Sequence, residues 1–137
     1  MSNIILQAGL ENLGRFTEFV TAYARKNGFQ RMQTDRIALC LEEAVVNICS
    51  YAYPDNPDGK VEISLHMENG DTLIIRIKDS GIPFDILSQK DPDIKAGVSK
   101  REIGGLGIFI IKKMMDDVKY DRVDNQNILT MTLKREA

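Results

Sequence analysis

Three short groups of residues combine side-chain types and spacings that can do chemistry. Glu43 and Asn47 stand four residues apart, which on a helix makes them neighbours on one face. A helix with one apolar face and one mixed polar-apolar face often has a sheet behind it and a ligand in front. Asp79-Ser80-Gly81 follows an alternating apolar segment. There a carboxylate can accept a hydrogen bond from an exocyclic amino group, and the glycine lets a flat ring come close. Gly104-Gly105-Leu106-Gly107 leads into Ile108-Phe109-Ile110-Ile111. Glycines at a helix start expose backbone N–H groups at the positive end of the helix dipole, a cradle for phosphate. Lys100 and Arg101 add positive charge just upstream. Each group alone also has an ordinary reading: a solvated helix carboxylate, a strand exit, a flexible hinge, a surface charge pair.

The elements that must carry these groups follow from periodicity. Asn3–Gln7 reads as a short strand. Leu10, Leu13, Phe16, Phe19, Val20, Tyr23 and Ala24 recur at helical spacing and stop at Gly28, which predicts a helix of about 17 residues with a glycine at its end. Gly14 within it costs up to about 1 kcal/mol against alanine. A second helix is predicted from Thr34, a good N-cap, through Ile37, Leu41, Val45, Ile48 and Ala52. Those five fall within roughly 80° of arc, and Glu43 and Asn47 lie roughly opposite them. Leu39 and Val46 lie near the pair, so this second face mixes polar and apolar groups.

The prolines of Tyr53–Gly59 end that helix. Lys60–Met67 and Thr72–Lys78 alternate around Asn69-Gly70, a strong hairpin signal. Asp85–Ile103 is polar and aperiodic, and its part from Lys90 to Ile103 is expected to act as a lid. Leu106–Met115 reads as a helix. Val118–Val123 and Ile128–Leu133 form a second hairpin around Asp124-Asn125-Gln126-Asn127. This order predicts an α+β fold: a two-layer sandwich whose mixed, mostly antiparallel sheet is covered on one face by helices. The glycine-rich turn does not follow a strand in a βαβ unit, and no Gly-Lys-Ser/Thr occurs. Neither a dinucleotide-binding fingerprint nor a P-loop is therefore present.

The chain has 137 residues, the size of one ordinary domain, and 1–137 is read as a single unit. Eighteen Lys+Arg against 20 Asp+Glu leave a net charge of −2, which excludes a strongly basic nucleic-acid binder. No apolar run approaches the roughly 18 residues of a membrane span, and no signal-peptide pattern opens the chain, so a cytoplasmic protein is expected. Cys40 and Cys49, nine residues apart, point to opposite sides of one helix and read as small buried side chains. With one histidine, His66, they do not make a zinc site.

Taken in order, the three groups resemble the GHKL ATPases, whose ATP site is the Bergerat fold. Within them the chain looks most like the bacterial anti-sigma-factor serine/threonine kinases. Leu41-Glu42-Glu43-Ala44-Val45-Val46-Asn47 resembles the asparagine box, Asp79-Ser80-Gly81 the first glycine box, and Gly105-Leu106-Gly107-Ile108-Phe109 the second. Pro83 stands where many members have a second glycine, and Tyr51 where many have a histidine.

The resemblance implies a histidine-kinase-like ATPase domain and a role for each position. Glu43 would be the general base and Asn47 a ligand of Mg²⁺. Asp79 would hold the adenine amino group, with Gly81 against the base. Gly105, Leu106 and Gly107 would line the triphosphate, with Arg101 as a supplementary cation. The implied function is an ATP-dependent protein serine/threonine kinase acting as an anti-sigma factor. It would phosphorylate a small anti-sigma-factor antagonist and sequester a sigma factor, as a homodimer, without direct contact to nucleic acid or membrane. The alternative is a nucleotide-gated binding switch of the same fold without phosphotransfer.

Overall fold

The computed structural model of the chain describes residues 2–56, 58–88 and 105–136. The element order is β1 (Ser2–Gln7), a 3₁₀ turn (Leu10–Asn12), α1 (Leu13–Lys26), α2 (Arg31–Asn47), a π-helical turn (Ile48–Ala52), β2 (Lys60–Glu68), β3 (Thr72–Asp79), a 3₁₀ turn (Ile86–Ser88), α3 (Gly105–Met114), β4 (Asp117–Val123) and β5 (Gln126–Lys134). The five strands form one sheet in the order β1-β2-β3-β5-β4. Every pairing in it is antiparallel. The proposed lid from Lys90 to Ile103, with Lys100 and Arg101 within it, lies outside the described residues.

Alternation decides which face of the sheet is covered. Val61, Ile63 and Leu65 on β2, Leu73, Ile75 and Ile77 on β3, and Leu129, Met131 and Leu133 on β5 are all buried. They oppose one another in register, as in the row Ile63, Ile77, Leu129. Against them pack Phe16, Val20 and Ala24 of α1, Ile37, Leu41 and Val45 of α2, and Ile108 and Ile111 of α3. This single core between a helical layer and a sheet is the two-layer α+β sandwich expected from the element order.

The first helix stops as its sequence dictates. Gly28 has φ +89. Its N–H donates to the Arg25 carbonyl, and the Phe29 N–H donates to the Ala24 carbonyl. This is a Schellman ending, with glycine in the left-handed position. The start of α2 differs from the expectation. Thr34 is not its cap: the helix begins at Arg31, and the Thr34 hydroxyl donates to the Arg31 carbonyl from a buried position inside the first turn. Both hairpins turn on two residues with positive φ, Asn69-Gly70 and Asp124-Asn125. That is the conformation that matches strand twist. The second turn is therefore shorter than the four residues expected, and Gln126 and Asn127 belong to β5.

Candidate active site

The second helix does not stop at Asn47 but continues in the π-helical turn Ile48–Ala52. Such turns are frequent at functional sites. This one brings the Ala52 carbonyl to the loop after β3, where it accepts the Ile82 N–H at 2.9 Å. A Cβ on Gly81 would lie 2.2 Å from that carbonyl oxygen, so only glycine fits. Tyr53, just beyond, is buried, and its hydroxyl donates to the Lys60 carbonyl at 2.8 Å and accepts the Ser80 N–H at 2.6 Å. The end of α2 and the Asp79-Ser80-Gly81 group are thus fastened together.

Asp79 ends β3 on the covered face and is only 4% exposed. Its Oδ1 accepts two hydrogen bonds, from the Gly81 N–H at 2.9 Å and from the Asn127 amide at 2.9 Å. Burial pushes its carboxyl above the usual carboxylate range, while Asn127, the Gly81 N–H and the Arg122 charge pull it back. A cavity of about 30 Å³ lies beside it, lined by Ala44, Asn47, Asp79, Phe84, Ile86 and Asn127 among others. That is room for about one water. Phe84 stacks on Tyr51 with ring centroids 4.7 Å apart, and Ile86 is buried.

Asn47 is buried, 2% exposed, and no hydrogen bond reaches its amide nitrogen among the described residues. Burying an unpaired polar group costs about 1–3 kcal/mol. The sequence pattern placed it opposite the apolar stripe. Instead it is covered, because α3 packs on this side of α2. Glu43, one turn earlier, is partly exposed. Burial first, and then the neighbouring Glu42, push its carboxyl above the ordinary range.

The glycine-rich group meets this pair directly. Gly105 and Leu106 open α3, and Gly107 lies in its first turn. A Cβ on Gly107 would sit 2.9 Å from Glu43 Oε2 and 3.0 Å from Asn47 Nδ2. The missing side chain therefore lets the first turn of α3 approach Glu43 and Asn47 closely. A phosphate chain at a helix N-terminus, with a cation bound to an amide oxygen, suits this donor set. Among the described residues no three His, Cys, Asp or Glu side chains cluster as a metal site. Mg²⁺ that shares substrate phosphates needs only one or two protein ligands.

The structure thus joins Glu43, Asn47 and Gly107 in the last turns of α2, and Asp79 and Gly81 against the π-helical turn that continues it. Asn47 and Asp79 line the same cavity between them. Arg101 lies outside the described residues. Sequence reasoning missed Asn127, Tyr53, Tyr120 and Phe84. Asn127 and Tyr53 carry a readable signal only in hindsight: each is polar and sits beside a turn.

This arrangement of three boxes on a helix-covered antiparallel sheet belongs to a recognised class. Residues 6–133 match the family of the histidine kinase-like ATPase domain, and the chain belongs to that family. Membership carries use of ATP. More particularly, the chain is 30% identical over 112 residues to the serine-protein kinase RsbW of Listeria innocua, covering 79% of this chain and 69% of that protein. It is 26% identical over 96 residues to the serine/threonine-protein kinase BtrW of Bordetella bronchiseptica, covering 70% of this chain and 67% of that one. The assignment as a protein kinase therefore rests on relatives that are themselves named protein kinases.

The fold is shared with solved structures at lower identity. The RsbU and RsbW domains of a Mycobacterium tuberculosis protein superpose with TM-score 0.63 at 11% identity, over 98% of this chain and 33% of that one. The catalytic domain of histidine kinase ThkA gives 0.57 at 16% identity over 98% of both chains. No helix among the described residues is long and apolar enough to cross a membrane.

Proposed function

We propose that this chain, acting as a single domain, is an ATP-dependent protein serine/threonine kinase that works as an anti-sigma factor. It phosphorylates a small antagonist protein on a hydroxyl and, free of that antagonist, holds a sigma factor inactive. Cytoplasmic residence and a homodimer belong to the same reading. The observation that carries it is the meeting of Glu43, Asn47 and the first turn of α3 at Gly107, where only a residue without a side chain lets them come so close.

In this reading Glu43 takes the proton from the acceptor hydroxyl, and the upward shift of its pKa makes it a stronger base than an ordinary carboxylate. Asn47 offers its amide oxygen to Mg²⁺, whose charge when bound offsets that of the phosphates. Gly105, Leu106 and Gly107 present backbone N–H groups to the triphosphate. Asp79 accepts from the adenine amino group, and the Gly81 backbone lies against the base. Guanine places an acceptor oxygen at that position, so an ionised Asp79 selects ATP over GTP.

The test is transfer of labelled γ-phosphate from ATP to a small antagonist protein. Glu43→Gln keeps size and hydrogen bonding but removes the base. It is expected to leave nucleotide affinity nearly intact and cut transfer about 10²–10⁴-fold. Asn47→Ala is expected to weaken Mg²⁺-dependent ATP binding and transfer together. Normal transfer by a folded Glu43→Gln protein would replace the kinase reading with that of a nucleotide-gated switch.

A further inference from the structure

Asn127 stands on β5 directly opposite Asp79 on β3, 48 residues away in the chain, and is 4% exposed. All of its side-chain polar atoms are engaged. The amide nitrogen donates to Asp79 Oδ1 at 2.9 Å and to the Ile82 carbonyl at 2.8 Å. The amide oxygen accepts from the Phe84 N–H at 3.2 Å and from the Tyr120 hydroxyl. The last two contacts fix which end of the amide is which. A carbonyl oxygen must face two donors, so the NH₂ group must face the carboxylate.

That orientation has a consequence at Asp79. Oδ1 is occupied by Asn127 and by the Gly81 N–H, so Oδ2 is the atom left to accept from a ligand. We infer that Asn127 is the positioning residue for purine recognition, holding Asp79 as an ionised acceptor with one oxygen turned to the base. This rests on the reading of Asp79 as the adenine contact given above. Asn127 itself touches the carboxylate and not the nucleotide.

Asp79 faces other titratable and charged groups. Tyr53 lies beyond the end of α2, Tyr120 and Arg122 are on β4, and Asp85 lies in the following loop beside Tyr120. Burial opposes the charge on Asp79, and Asn127 is the first of the groups that restore it. Two variants separate this role from simple packing. Asn127→Asp retains an oxygen to accept from Tyr120 and Phe84 but turns the donor end into a second carboxylate. Two adjacent carboxylates share a proton, which raises one pKa strongly. Asn127→Leu removes donor and acceptor while keeping about the same volume.

The measurement is the ratio of ATP to GTP affinity by calorimetry from about pH 5 to pH 8. Added negative charge repels both triphosphates alike, so the ratio reports the base contact alone. In the unmodified chain the ratio is expected to fall only in acid, as Asp79 takes up a proton and becomes able to donate to the guanine oxygen. In Asn127→Asp the midpoint of that fall is expected to move upward by about one pH unit or more. Between the two midpoints the variant has therefore lost selectivity that the unmodified chain still shows. Asn127→Leu should shift the midpoint the same way.

A merely structural residue would weaken both nucleotides by one factor at every pH. An unmoved midpoint in Asn127→Asp, with the fold intact by circular dichroism, overturns the inference while leaving selectivity for ATP in place. Equal ATP and GTP affinity in the unmodified chain at every pH removes the adenine contact at Asp79 and this inference with it.

Discussion

Glu42 and Glu43 are adjacent carboxylates with unequal surroundings, since Glu42 is exposed and Glu43 is partly covered. The repulsion from Glu42 adds to burial in raising Glu43. A base must be ionised to accept a proton, so a raised pKa moves the acid limb of kcat/KM to higher pH. Glu42→Gln removes one of the two causes. It is expected to shift that limb downward while leaving the plateau rate unchanged, as read from a pH–rate profile. An unmoved limb would show that another group controls it. Cys40 lies on the same helix, buried, with its thiol pushed up to about 12 by burial and by Glu43. It is expected to resist alkylation in the native protein, since only the thiolate reacts.

Between elements, the glycines of the two glycine-rich groups do different work. At Gly81 an added Cβ meets the backbone of Ala52, with the carbonyl oxygen at 2.2 Å and its carbon at 2.6 Å. Backbone cannot step aside, so Gly81→Ala is expected to cost about 1–3 kcal/mol in denaturant unfolding, the usual range for overpacking. At Gly107 the contacts are the ends of Glu43 and Asn47, which can rotate. Gly107→Ala is expected to unfold near the parent midpoint while binding ATP more weakly, because the new methyl group pushes aside the side chains of Glu43 and Asn47, which the proposed function places at the phosphates. Equal destabilisation of the two variants would contradict this contrast. Gly14 is the opposite case: nothing lies within 4 Å of a Cβ there. Gly14→Ala is expected to stabilise the chain by about 0.4–1 kcal/mol through the unfolded state.

For the molecule as a whole, the buried carboxyl of Asp79 ties function to stability. A folded pKa raised above the unfolded value means that the fold favours the protonated acid. Its contribution is fully present below the unfolded value of about 3.9 and is lost as pH rises through the raised folded value. Asp79→Asn removes that dependence. It is expected to raise the thermal midpoint at pH 7–8, with the gain shrinking towards pH 4, while weakening ATP binding. A gain independent of pH would mean that ionisation is not its source.

The sequence alone determined the elements and their covered faces, because alternation and helical spacing are local properties of the chain. Asn69-Gly70 marked one hairpin, Gly28 marked a helix end, and the order of elements led to the α+β sandwich. The three boxes were also legible, each being short and contiguous. What only tertiary structure decided was which groups share one small volume. Asn127 meets Asp79 because β3 and β5 pair in a register that no local window contains. Its place was also hidden by a turn one hairpin residue pair shorter than expected. Asn47 is buried although helical arithmetic put it opposite the apolar stripe, because the cover comes from α3, beyond residue 104. Periodicity specifies a face but not its neighbour, and the neighbour decides whether an amide is solvated or covered.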